Sequence, residues 1–298
     1  MSNGRRVVGI GEAAIDHLAV VGRYPEPDTK TELAGLSLQG GGATATALAA
    51  LAALRVETAF VGKVSDDDFG RFVVRGLHGL GVDTRALVIQ PDRLSPYRFV
   101  VVEHEATRRT VFHTRGSVDP LEPSELPPEL FTDAALLIVD GYHVEAQIWA
   151  AEEARRRGVR VVLRAATLRE GMGELVALSD VLIASERYAA EVAPRGEVED
   201  SLVELSRLGP HTVVMTLGTD GSIGLEGEKL VQQPPLGVKV VDSTGAGDVY
   251  VGGYCYGLLR GAPLERCMQL ASAAAGLSCR ELGARAGLPS LAEVEEVT

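Results

Sequence analysis

The chain is poor in several things at once. Its 298 residues hold three cysteines, Cys255, Cys267 and Cys279, one tryptophan and 5% aromatics in all. No two cysteines stand as Cys-x-x-Cys, so neither a zinc site nor a disulfide framework is indicated. Buried thiols in a reducing, cytoplasmic compartment are the expectation. Positive charge is scarce too: 29 Lys and Arg stand against 41 Asp and Glu, a net charge of −12. That argues against nucleic acid and anionic membrane as partners and leaves small molecules. The longest run of small apolar residues, 43–54, is too short to span a bilayer and fits a buried helix. Arg5-Arg6 precede an apolar run, but Gly9 and Gly11 break it and no cleavage pattern follows, so it reads as a strand.

What is present suits an enzyme of one large α/β unit or two, with 46% hydrophobic residues and enough length to bury a sizeable core. The most informative stretch is 240–253. Val238, Val240 and Val241 read as a β-run that stops at Asp242, and small residues follow. From Val249, the spacing of Tyr250, Tyr254 and Leu258 reads as a buried helix. Gly245-Ala246-Gly247 then leave bare N–H groups at a helix N-terminus, where orphan donors and the dipole bind anions. A carboxylate at Asp248 would repel an anion, yet it suits a general base beside one. Base plus anion hole suggests phosphoryl transfer to a hydroxyl.

Gly-x-Gly-Asp alone is equally the start of an ordinary α/β helix. The full Asp242-Ser-Thr-Gly-Ala-Gly-Asp248 string is more specific, and it resembles the second signature of the PfkB (ribokinase-like) small-molecule kinases. In that family the final Asp deprotonates the acceptor hydroxyl and the preceding amides hold the transferring phosphate. The resemblance implies ATP and Mg2+ as cofactors, with Thr244 of the same string among the nucleotide contacts.

Earlier in the chain, Gly9-Ile10-Gly11-Glu12-Ala13-Ala14 matches a dinucleotide fingerprint, but alternation over 15–21 reads as a second strand where a helix is required. Asp16 stands where the family keeps a carboxylate that accepts hydrogen bonds from substrate hydroxyls. A strand over 31–38 leads to Gly40-Gly41-Gly42 and a helix of small residues, which resembles the first signature. Gly41 and Gly42 would lie near the sugar, with Thr46, where Asn is usual, as a further substrate contact through its hydroxyl. Ser65 with Asp68 reads as a capping box for a helix over 69–80. The acidic triplet 66–68 is read as capping rather than metal binding. Strands over 97–103 and 110–114, with those near 15–21 and 32–38, would form the small sheet that lids the sugar site in this family and often dimerises.

From residue 134 the pattern turns to βα repeats, as expected for a parallel sheet. Asp140, Arg164, Ser185 and Thr216 fall at the carboxyl ends of strands, the edge where such sheets bind ligands. Thr216-Leu217-Gly218-Thr219-Asp220-Gly221 resembles the family loop beside the ATP phosphates. By the same resemblance Ala275 lies near adenine, and Asp242 with the 283–289 segment holds a monovalent cation such as K+. Two departures concern magnesium and phosphate: Ser185-Glu186-Arg187-Tyr188 replaces Asn-x-x-Glu, and Arg164 stands where Asp is usual.

The expectation is therefore a doubly wound, mostly parallel α/β sheet flanked by helices in one ribokinase-like domain, 1–298, with lid strands from about 15–38 and 96–115. It would phosphorylate a hydroxyl of a sugar. Ser185 and Thr46 lean toward the ketohexokinase and sulfofructose kinase branch, hence a ketose or related polyol. A nucleoside kinase, or a relative that binds without catalysis, are the alternatives. A homodimer through the lid is the expected assembly.

Overall fold

In a computed structural model that describes residues 6–103, 108–194 and 196–298, apolar runs such as Leu136-Leu137-Ile138-Val139 form strands buried on both faces. The elements in chain order are β1 (Arg6–Ile10), β2 (Ala14–Val21), β3 (Gly35–Gly41), α1 (Ala43–Ala53), β4 (Thr58–Val61), β5 (Lys63–Ser65), α2 (Asp68–Gly79), β6 (Val82–Asp83) and β7 (Val88–Gln90). There follow β8 (Tyr97–Glu103), β9 (Arg108–Thr114), β10 (Ala134–Val139), α3 (Val144–Arg156), β11 (Arg160–Ala165), α4 (Met172–Leu178), β12 (Val181–Ser185), α5 (Glu186–Val192) and α6 (Val198–Ser206). The chain closes with β13 (Thr212–Thr216), β14 (Ser222–Glu226), β15 (Lys229–Gln233), α7 (Ala246–Leu259), α8 (Leu264–Ser278) and α9 (Leu291–Glu296).

Among the described residues the large sheet has nine strands in the order β15-β14-β13-β12-β11-β10-β1-β4-β6. It is parallel from β13 to β6, and β14 and β15 extend it as an antiparallel edge. Alternation along β1 sends Val7 to a core with α1, α7 and α8, and Val8 and Ile10 to a second core with α3 and α4. The strand order reverses between β1 and β10, so a crevice opens there at the carboxyl edge. Small residues let α1 and α7 close over it: a Cβ on Gly252 would meet the Ala47 carbonyl oxygen at 2.8 Å.

The smaller sheet runs β3-β2-β8-β9, with β2 and β8 parallel. Its register sets Asp16 beside both Gln39 and Arg98 on one face. The other face carries the row Leu38, His17, Phe99 and Phe112.

Several expectations need correction. Residues 238–241 are not a strand: no described strand pairs with them, and the Val241 and Asp242 N–H groups instead donate to the Cys279 carbonyl. The helix expected from Val249 starts at Ala246, which brings Asp248 into its first turn. The third strand is Gly35–Gly41, later than 31–38 and continuous with the glycines. Asp67, not Ser65, caps α2 by accepting the Gly70 N–H at 2.7 Å, while the Ser65 hydroxyl donates to the Arg93 carbonyl. Arg5, where the first strand was expected to start, lies outside the described residues.

Candidate active site

The crevice wall is built around Asp140, at the end of β10. Its Oδ2 accepts the Glu12 and Thr44 N–H groups at 3.3 Å each and the Thr44 hydroxyl at 2.9 Å. Its Oδ1 accepts the Tyr142 N–H and Gln147 Nε2, both at 3.0 Å. Five donors leave this carboxylate spent on joining the β1–β2 loop, the start of α1 and α3. The start of α1 is equally constrained: Gly42 has φ 100°, and a side chain there would strike the Glu12 carbonyl.

Asp16 projects from the middle of β2 toward Gly41, whose missing side chain leaves its carboxylate room. Its Oδ1 is buried without a hydrogen bond, and Arg98 Nη1 stands 3.5 Å away while pairing with Glu12. Burial pushes the Asp16 carboxyl up to about 6; the Arg285 charge pulls against that shift and the Asp248 charge adds to it. Burial likewise lowers the Arg98 guanidinium, with Asp248 the chief opposing charge. Asp16, Arg98, Arg285 and Asp248 therefore feel one another across a single space.

Arg285 enters that space from the loop after α8. Its Nε donates to the Thr46 hydroxyl at 3.2 Å and its Nη2 to the Gly41 carbonyl at 2.6 Å. Burial pulls it down to about 10. Thr46, expected as a substrate contact, thus lies under Arg285 and is almost wholly buried.

On the opposite side Gly245, with φ 76°, turns the chain into α7. The Asp248 N–H donates to the Gly245 carbonyl, whereas no described residue accepts the Gly247 N–H. That free donor lies at the positive end of a 14-residue helix, as an anion hole requires. Asp248 sits beside it. Arg164, at the end of β11, reaches both: its Nε is 3.0 Å from Asp248 Oδ1 and its Nη2 is 3.0 Å from where a Gly247 Cβ would be. Arg109 of the small sheet closes the mouth by donating to the Ser243 hydroxyl at 3.3 Å.

Of the residues expected at the nucleotide, Ser185, Thr216, Gly218 and Gly221 lie farther along the same sheet edge. The Thr216 hydroxyl donates to the Ala184 carbonyl at 3.4 Å. Gly218 opens a single helical turn, and Gly221 closes it with φ 87°. Ser185 caps α5 by accepting the Tyr188 N–H at 3.2 Å. Ala275 is half-buried on α8, beside Gly276 where Leu236 packs. Asp242 Oδ1 accepts the N–H and hydroxyl of Thr244, and Oδ2 the Gly283 N–H at 2.9 Å, which ties two loops together. Among the described residues no group of three or more His, Cys, Asp or Glu could hold a metal ion.

Arg285, Glu12 and Arg98 carry no assignment in the sequence reading. Arg285 had one signal: it is the sole charged residue in 282–289, a run otherwise of Gly, Ala, Leu and Pro.

The sequence model of the pfkB family carbohydrate kinases matches residues 5–291. The chain is 25% identical to a nucleoside kinase of Methanothermobacter thermautotrophicus, over 98% of this chain and 95% of that one. It is 30% identical to an aminoimidazole riboside kinase of Salmonella typhimurium, over 84% of each. The fold superposes on Arabidopsis thaliana ribokinase complexed with ribose and ATP, with a TM-score of 0.83, 23% identity, and coverage of 98% of this chain and 97% of that one. These similarities do not support the leaning toward the ketohexokinase and sulfofructose kinase branch.

Proposed function

The chain belongs to the pfkB family of carbohydrate kinases, phosphotransferases with an alcohol acceptor, and from that premise we propose that Asp248 is the base in an ATP-dependent phosphorylation of a sugar hydroxyl. The observation that carries the reading is the adjacency of Asp248 to the unfilled Gly247 N–H at the start of α7. The acceptor hydroxyl gives its proton to Asp248 and attacks the γ-phosphorus, and ADP leaves. The free Gly247 amide, with Gly245 beside it, and the Arg164 guanidinium meet the charge on the transferring oxygens, whereas the Ala246 N–H, expected in the anion hole, is taken by the Ser243 carbonyl at 3.2 Å. Asp16 accepts a second hydroxyl of the acceptor and thereby orients it.

The nucleotide lies along the Thr216–Gly221 turn toward Ala275, with Ser185 and Thr244 at its border. Mg2+ would arrive with the nucleotide and would supply positive charge to its phosphates. Asp242 spends its oxygens on the loop, so a K+ ion would rest mainly on backbone carbonyls. Free, buried cysteines suit a reducing compartment, and among the described residues no helix is long and apolar enough to cross a membrane.

A second reading has its own observation. The Arg164 pair occupies Asp248, which favours a relative that binds without turnover. ADP release from Mg-ATP across hexoses, pentoses, their acids and phosphates, and nucleosides separates the two. Stimulation by one acceptor supports the kinase; tight sugar binding without ADP supports the other.

The assembly we propose is a homodimer through the outer face of the small sheet. Leu36 is 59%, Leu38 40% and Phe112 51% exposed, and His17 and Phe99 join them in a patch across four strands. A second copy brings the same patch, as a two-fold interface requires.

A further inference from the structure

Arg285 is a buried cation that forms no salt bridge among the described residues, although the Asp16 and Asp248 charges act on it from nearby. It is 8% exposed, yet both hydrogen bonds its guanidinium makes go to neutral acceptors, the Thr46 hydroxyl and the Gly41 carbonyl, and Nη1 has no partner. Lys63, the other buried cation among the described residues, has Glu125 at 2.7 Å. Asp16 and Asp248 lean on the Arg285 charge, but neither is hydrogen-bonded to it. A guanidinium removed from water with no carboxylate hydrogen-bonded to it is costly, and a ligand that supplies a directly bonded negative oxygen is bound correspondingly well. Water can fill a vacant donor, but it cannot neutralise the charge.

The local sequence is arranged to leave that nitrogen in place. A side chain on Gly40 would collide with Arg285 Nη1, and one on Gly41 would collide with Asp16. The two glycines therefore leave room for two buried atoms without a hydrogen bond, Arg285 Nη1 and Asp16 Oδ1, the latter with Arg98 Nη1 near it at 3.5 Å. One is a charged donor and the other a charged acceptor. The hydroxyls of a neutral sugar satisfy Asp16 fully but answer Arg285 only as weak acceptors. The surroundings agree: in a protein of net charge −12, Arg98 lies within the site, Arg109 at its mouth, and Arg169 near Arg98 over the Tyr142 ring at 5.7 Å.

We propose that the acceptor is a hydroxylated anion, a sugar acid or a sugar phosphate, whose negative oxygen takes Arg285 Nη1 while a neighbouring hydroxyl donates to Asp16 Oδ1. This rests on the kinase reading above and narrows its acceptor. The anionic group takes no covalent part; it fixes which hydroxyl faces Asp248.

The test compares a neutral sugar, the corresponding sugar acid and the corresponding sugar phosphate as acceptors for the wild-type chain with Mg-ATP, alongside calorimetric binding of each. One anion should exceed the neutral sugar in kcat/KM or affinity by on the order of 10²-fold, and which anion does so separates carboxylate from phosphate. Arg285→Met should bring that ratio toward one, and Arg285→Lys should keep part of it, with circular dichroism confirming that each variant is folded. The proposal is overturned if the neutral sugar is preferred, if neither anion binds, or if folded Arg285→Met or Arg285→Lys leaves the ratio where it was. Turnover of neutral sugars alone would sink this proposal and leave the kinase standing. Anion binding without ADP release would do the reverse.

Discussion

Arg164 Nε donates to Asp248 Oδ1 at 3.0 Å, so the carboxylate assigned as base is met by a guanidinium from the end of β11. The same guanidinium lies over Gly247. It therefore bridges the group that takes the proton and the donor that meets the phosphate. Arg164→Ala should lower kcat by roughly 10- to 10³-fold with little change in acceptor KM, and Arg164→Lys should regain part. An unchanged kcat would remove Arg164 from the mechanism. An increase would mean the pair restrains Asp248.

Asp16 makes stability depend on pH. Its carboxyl is pushed up to about 6 from 3.8, chiefly by burial. Below 3.8 folded and unfolded chains both hold the proton; as pH rises toward 6 the unfolded chain loses it more readily, so this contribution to stability is lost across that window. Asp16→Asn should therefore melt higher than wild type by on the order of a few degrees above pH 6, and the difference should vanish near pH 4. Acceptor KM should rise in the same variant. A lower melting temperature than wild type at pH 8 would contradict the sign.

Gly245 holds the turn into α7 at φ 76°, with Ala284 Cα 2.9 Å from where a Cβ would stand. Gly245→Ala combines backbone strain with a collision, so a loss on the order of 1–3 kcal/mol is expected in denaturant unfolding. ADP release should fall with it, because Ala246 and Gly247 move with the turn.

The outer face of the small sheet predicts its own disruption. Light scattering should give twice the chain mass for wild type and the single mass for Leu38→Asp or Phe112→Asp. A monomeric wild type would leave that apolar patch to some other role.

Motif and periodicity carried most of the frame into view. The Asp242–Asp248 string, the small-residue helix at 43–53 and the buried runs of β10 to β13 depend on local spacing, and their places follow from it. What depended on partners stayed hidden. Val240 and Val241 have β-branched side chains but, among the described residues, no strand to pair with. Asp140 fell at the ligand edge as expected, but only the fold reveals five donors already upon it. Arg285 becomes legible only when residues 239 positions apart meet, as it does with Thr46.

The most direct measurement is ADP formation in a single turnover, Asp248→Asn against wild type, with the acceptor found in the panel and folding checked by circular dichroism. The account predicts that nucleotide and acceptor still bind while the chemical step slows by roughly 10²- to 10⁴-fold. A variant that transfers phosphate at the wild-type rate would contradict it.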